Sequence, residues 1–142
     1  MRSIPPVLLA CLLGLVTAGC SGSSSGEARA RVPLPAPEAF IEGTCRVAAP
    51  DIVAIGEQVD RLGDGPKVDN AVKVALREAQ LRLAELATAA EPAYKPALDA
   101  LVVTVGGVRI RADGNVYDPD LATQLGRDYR GVLDVCLRAP SR

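Results

Sequence analysis

Hydrophobic residues in this chain form one unbroken run near the start and, further on, spaced stripes. From Val7 to Val16 there is no charged residue, an apolar run of about ten residues against the roughly 20 a membrane-spanning helix needs. Beyond residue 37 the apolar positions recur at intervals of three and four, which sets them on one side of a helix. In PEAFIEGTCRVAA the residues Ile41, Cys45 and Ala48 share a face, and Pro50 interrupts it. Asp51 then reads as the N-cap of IVAIGEQVDRL, where Ile52, Ile55, Val59 and Leu62 line one side. GDGP, residues 63 to 66, is a stop and a turn.

The clearest stripe follows, with Val72, Leu76, Ala79, Leu83, Leu86 and Ala90 alternating steps of four and three. Its opposite face, with Lys73, Arg77, Glu78, Arg82 and Glu85, reads as solvated, Glu78 and Arg82 forming an i,i+4 pair. EPAYKP breaks the pattern at residues 91 to 96, after which Leu98, Leu101, Val102, Val105 and Val108 fit a helix. Residues 101 to 117 are also rich in β-branched side chains, and Asp113-Gly114-Asn115 fits a hairpin turn. We read helix, because a hairpin isolated among helices has no sheet to join. Gly106-Gly107 then marks a weak spot or a close helix crossing. Asp118-Pro119-Asp120 opens a last helix with Leu121, Leu125, Tyr129, Val132 and Cys136 as its stripe, and Pro140 closes the domain.

The pattern predicts an all-α fold, a bundle of about four helices over residues 37–139. That is about 105 residues, enough for one core but not two. With 49% hydrophobic but only 3% aromatic residues, the core has to be built from Ala, Val, Leu and Ile.

The charge-free run at the start follows Arg2 and ends in the small residues Thr17-Ala18-Gly19 before Cys20. This layout is that of a secretory signal, and its end resembles the lipobox of bacterial lipoproteins, with Thr17 where Leu is more usual. The resemblance implies that residues 1–19 are a signal peptide cut before Cys20 and that Cys20 carries a lipid. It further implies anchoring at the outer face of the cell membrane. SGSSSG after Cys20 has the composition of a tether, and Pro33, Pro35 and Pro37 favour an extended chain, so residues 20–36 are expected to link anchor and bundle. Lipobox, tether, Ala-rich helical domain and one cysteine near each end of it together resemble small actinobacterial lipoproteins of unassigned role.

That address decides the remaining cysteines. Cys11 falls in the signal and Cys20 takes the lipid, which leaves Cys45 and Cys136. Outside the cytoplasm two such thiols usually form a disulfide. A bond closing a loop of about 90 residues contributes roughly 4 to 5 kcal/mol in the chain-entropy picture. A redox or metal pair would want a CxxC spacing or a histidine partner, and the chain has no histidine.

The same absence removes the commonest general base and metal ligand. Apart from Ser141 every serine precedes the domain, so a serine triad is excluded. Carboxylates remain. DGNVYDPD offers Asp113, Asn115, Asp118 and Asp120 as oxygen ligands for calcium, but an EF-hand wants Gly where Asp118 stands and Glu where Gln124 stands. Turn formation and helix capping account for these residues more simply. Asp60, Asp64 and Asp69 admit the same two readings. Four aromatic residues, Phe40, Tyr94, Tyr117 and Tyr129, are too few for a sugar cleft. With 16 basic against 17 acidic residues and no basic stripe, nucleic acid is not an expected partner. The expectation is a non-enzymatic, lipid-anchored binding or accessory module without a cofactor. Its partner would be another envelope protein or a small apolar ligand between the helices. The rival readings are a carboxylate- or metal-dependent envelope enzyme using the Asp113 to Asp120 loop, and a purely structural envelope protein.

Overall fold

Four helices account for the spaced stripes, and the computed structural model describes residues 31–65 and 68–137. Helix α1 is Thr44–Gly63, α2 Asn70–Thr88, α3 Lys95–Asp113 and α4 Pro119–Cys136, with one 3-10 turn at Pro37–Ala39 ahead of them. Asp69 caps α2 by accepting from the Val72 amide at 2.9 Å. Asp118 caps α4, its carboxylate accepting from the Asp120 and Leu121 amides, both at 3.1 Å. Pro119 fills the first turn, where no amide donor is needed.

α1 corrects the expectation at Pro50. The helix runs through it without a break, so Asp51 is not an N-cap but an interior helical residue. Proline costs roughly 3 kcal/mol inside a helix. Here the apolar stripe keeps its phase on both sides: Cys45, Ala48 and Ala49 before it and Ile52, Ile55 and Val59 after it are all buried. Pro50 itself lies on the exposed side. Continuous burial, with a disulfide at the helix start, outweighs the lost backbone bond.

α3 resolves the contested stretch as helix throughout. Leu98, Leu101, Val105, Val108 and Ala112 are buried at helical spacing, whereas Ile110, which a strand would place on the Val108 face, is exposed. The glycine pair marks two close crossings. A Cβ at Gly106 would stand 2.5 Å from the Gln80 amide nitrogen on α2, and one at Gly107 2.9 Å from a Leu121 methyl on α4.

Each helix packs on its neighbours in the chain, and α4 returns to pack on α1, a closed ring without diagonal contacts. Cross-links fix the directions as antiparallel: Asp51 in the first half of α1 meets Arg82 in the second half of α2, and Lys73 near the start of α2 meets Asn115 just beyond the end of α3. We call the end where α1 begins and α4 finishes the upper end. The lower end holds the α1–α2 and α3–α4 connections. At the upper end Cys45 and Cys136 are bonded, with Cα atoms 5.3 Å apart. At the lower end the Tyr117 hydroxyl donates to the Leu62 carbonyl at 3.0 Å. The core is aliphatic, as the composition requires, with Tyr129 and Phe40 as its largest fully buried side chains. No described helix is long and apolar enough to cross a membrane.

The expected boundary at residue 37 falls inside a packed segment. Val32 is buried, its amide donates to Asp60 at 2.9 Å, and the chain from there to Phe40 lies along the bundle. The tether reading covered residues 20–36 because prolines favour an extended chain, and an extended chain is also what a groove between helices accepts.

Candidate functional site

The sequence-predicted residues divide into three groups. Cys20, the expected lipidation site, lies outside the described residues. Cys45 and Cys136 are fully buried and bonded to each other, which takes both thiols out of nucleophilic chemistry.

The Asp113 to Asp120 loop is the third group, and the side-chain oxygens of Asp113, Asn115 and Asp118 already have partners, while the Asp120 carboxylate is exposed. Asp113 pairs with Arg77 at 3.7 Å and Arg109 at 3.8 Å. Asn115 accepts from the Lys73 ammonium at 2.9 Å and takes a left-handed backbone, φ 55°, which asparagine tolerates. Asp118 caps α4 and pairs with Arg111 at 3.7 Å. These residues therefore build a turn and a helix start cross-linked to α2. Asp69 serves as a cap in the same way, and Asp60 holds the Val32 amide. Among the described residues no group of three His, Cys, Asp or Glu side chains is placed to hold a metal ion.

A ligand between the helices needs space, and the interior is filled by side chains at or near zero exposure. At the lower end Leu62, Val108, Val116, Tyr117 and Leu121 surround a cavity of about 10 Å³, about one water's worth. An open depression of about 380 Å³ lies beside Asp118, Asp120, Gln124 and Arg127. A second, of about 290 Å³, lies beside Arg31, Leu34, Glu57, Asp60 and Asp64. Both are wide and open and carry charged side chains in their lining, unlike the enclosed apolar pockets that bury small ligands.

The most developed recognition geometry is a strap, residues 32 to 40, laid across α1 and α4 and anchored by the buried Val32 and Phe40, with most residues between them exposed. This strap runs antiparallel to α1. Val32 binds Asp60 near the foot of the helix. The Tyr129 hydroxyl on α4 donates to the Pro33 carbonyl at 2.6 Å. Leu34 lies over Gly56, where a Cβ would come within 2.7 Å of its methyl and 2.5 Å of the Tyr129 oxygen. At the top, Arg46 donates to the Phe40 carbonyl at 3.2 and 2.9 Å and to the Glu38 carbonyl at 2.9 Å, and the Ile41 amide donates to the Cys136 carbonyl at 2.9 Å. Ala36 and Phe40 have φ −64° and −76° with ψ 145° and 147°, the polyproline II region. Burial raises the Tyr129 phenol from 10.0 to about 12, with the Asp60 carboxylate adding to the effect.

The strap escaped the sequence reading, though two signals pointed to it. In RVPLPAP, Val32 and Leu34 alternate with prolines, and a glycine at 56 sits on the same helix as the α1 stripe. A second missed feature is the cross-helix pair of Asp51, whose side chain is 8% exposed, with Arg82 at 2.6 Å. Arg82 also lies 3.9 Å from Glu78, so the expected i,i+4 pair is the looser of its two contacts. At the upper end the Thr44 hydroxyl donates to Glu91, which lowers that carboxyl from its ordinary value, and Lys95 donates to the Ala87 carbonyl at 2.9 Å.

No family model, curated protein or solved structure matches this chain.

Proposed function

We propose that this protein is a lipid-anchored lipoprotein of the outer face of the cell membrane, and that its helical bundle acts as a binding or accessory module. The single observation that carries the reading is the sequence LLGLVTAGC followed by SGSSSG: an apolar run, small residues before Cys20, then a tether composition. The Cys45–Cys136 disulfide supports it, because such bonds persist mainly in oxidising compartments outside the cytoplasm. The module works through its surface, since the interior is filled and the lower cavity holds no more than a water. That favours another envelope protein as partner over a small apolar ligand between the helices.

Mass spectrometry of the mature N-terminus tests the anchor directly. The expected product begins at Cys20 with acyl mass on it, and Cys20→Ala is expected to lose membrane partitioning or to remain uncut. An unmodified Cys20 in the processed protein rejects the proposal. The filled interior equally favours a structural envelope role without any partner, and a pull-down from native membranes separates the two: a stoichiometric partner supports the binding module. The enzyme reading gains little from the Asp113 to Asp120 loop, where Asp113 and Asp118 are held by arginines and Asp118 also by a helix start.

A further inference from the structure

We infer that the strap makes the lower end of the bundle the end that faces the lipid bilayer, leaving the disulfide end directed away from it. The inference rests on the lipid anchor proposed at Cys20. Without a strap the chain would leave the bundle at Thr44, at the upper end. With the strap docked, the first buried residue is Val32, held beside Asp60 only three residues from the end of α1. The lipid-bearing cysteine is then separated from the lower end by the eleven residues Ser21 to Arg31. Along the chain the lower end, where the strap begins at Val32, is therefore the part of the bundle nearest the anchor, whereas Thr44 at the upper end lies twelve residues further on. That end also presents apolar side chains to a lipid surface: Ile110 and Val116 are 66% and 49% exposed.

The chain has no tryptophan, so single-tryptophan variants report position. The lipidated full-length mature protein is reconstituted into phosphatidylcholine–phosphatidylglycerol vesicles brominated on the acyl chains, with Val116→Trp at the lower end or Ala93→Trp at the upper end. Strong quenching at 116 and only baseline quenching at 93 is the expected result. Adding Val32→Asp and Leu34→Asp, which unseat the strap without touching the helices, is expected to abolish the difference. Equal or reversed quenching in vesicle-bound protein overturns the inference and leaves the anchor intact, and so does a difference that persists after the strap is unseated. Protein that carries no lipid and does not bind vesicles overturns anchor and inference together.

Discussion

Asp51 shows how much a single residue's surroundings decide. After Pro50 it has the chemistry of a helix cap, yet it is a nearly buried carboxylate whose charge is met by Arg82 from the next helix. Arg82→Ala leaves that carboxylate without its partner. Because Arg82 is itself half exposed, water relieves part of the cost, and a loss of about 1 to 2 kcal/mol in urea denaturation is expected. Glu78→Ala, which removes only the looser exposed contact, is expected to change stability by no more than about 0.5 kcal/mol. Tyr129 carries a pH signature. Its phenol is raised from 10.0 to about 12 in the folded chain, so below pH 10 it is protonated in both states and its contribution to stability is whole. Between about pH 10 and 12 the unfolded chain gives up this proton first, and folding weakens as pH rises. Tyr129→Phe is expected to flatten that decline in a pH series of denaturation midpoints, while costing about 1 kcal/mol at pH 7 for the lost bond to Pro33.

At the scale of elements, the strap is the segment whose behaviour differs most from its sequence character. It contributes Val32, Leu34 and Phe40 and is held by hydrogen bonds from its Val32 amide to Asp60 and from Tyr129 and Arg46 to its carbonyls. Gly56→Ala places a methyl where Tyr129 and Leu34 already stand. Overpacking of this kind costs about 1 to 3 kcal/mol. Proteolysis between residues 31 and 37 is expected to quicken in this variant while the helical circular dichroism stays unchanged. Loss of the helical signal instead would mean that the strap and the ring fold as one unit. α1 teaches a second lesson at this scale: propensity placed a boundary at Pro50, but a helix that buries one face on both sides of a proline keeps going.

The whole molecule is a ring of helices closed by a covalent bond between its first and last turns. Cys45→Ser and Cys136→Ser are each expected to lower stability by roughly 4 kcal/mol, on the chain-entropy scale for a loop of this size. The double variant is expected to be no worse than either single one, because one bond is lost in all three. Additive losses in thermal denaturation would contradict a shared bond. Millimolar calcium is expected to leave the melting temperature unchanged, since Asp113 and Asp118 are engaged by arginines and Asn115 by Lys73. An upward shift would show that the cation displaces them.

Much of this architecture was legible in one dimension. Steps of three and four from Val72 to Leu83 and from Leu125 to Cys136 report a helix face directly, since burial of that face is what the spacing is for. The caps Asp69 and Asp118 act within three residues of themselves, a range a sequence displays. The chain alone likewise displays the absence of histidine and the two cysteines, Cys45 and Cys136, one near each end of the bundle, that pair. Contacts between distant residues were not legible. Nothing local to Asp51 names Arg82, nothing local to Pro33 names Tyr129, and nothing in the Asp113 to Asp120 turn names Arg77 or Lys73. Those pairings exist only once four helices stand side by side, because position around a helix, not distance along the chain, sets which side chains meet.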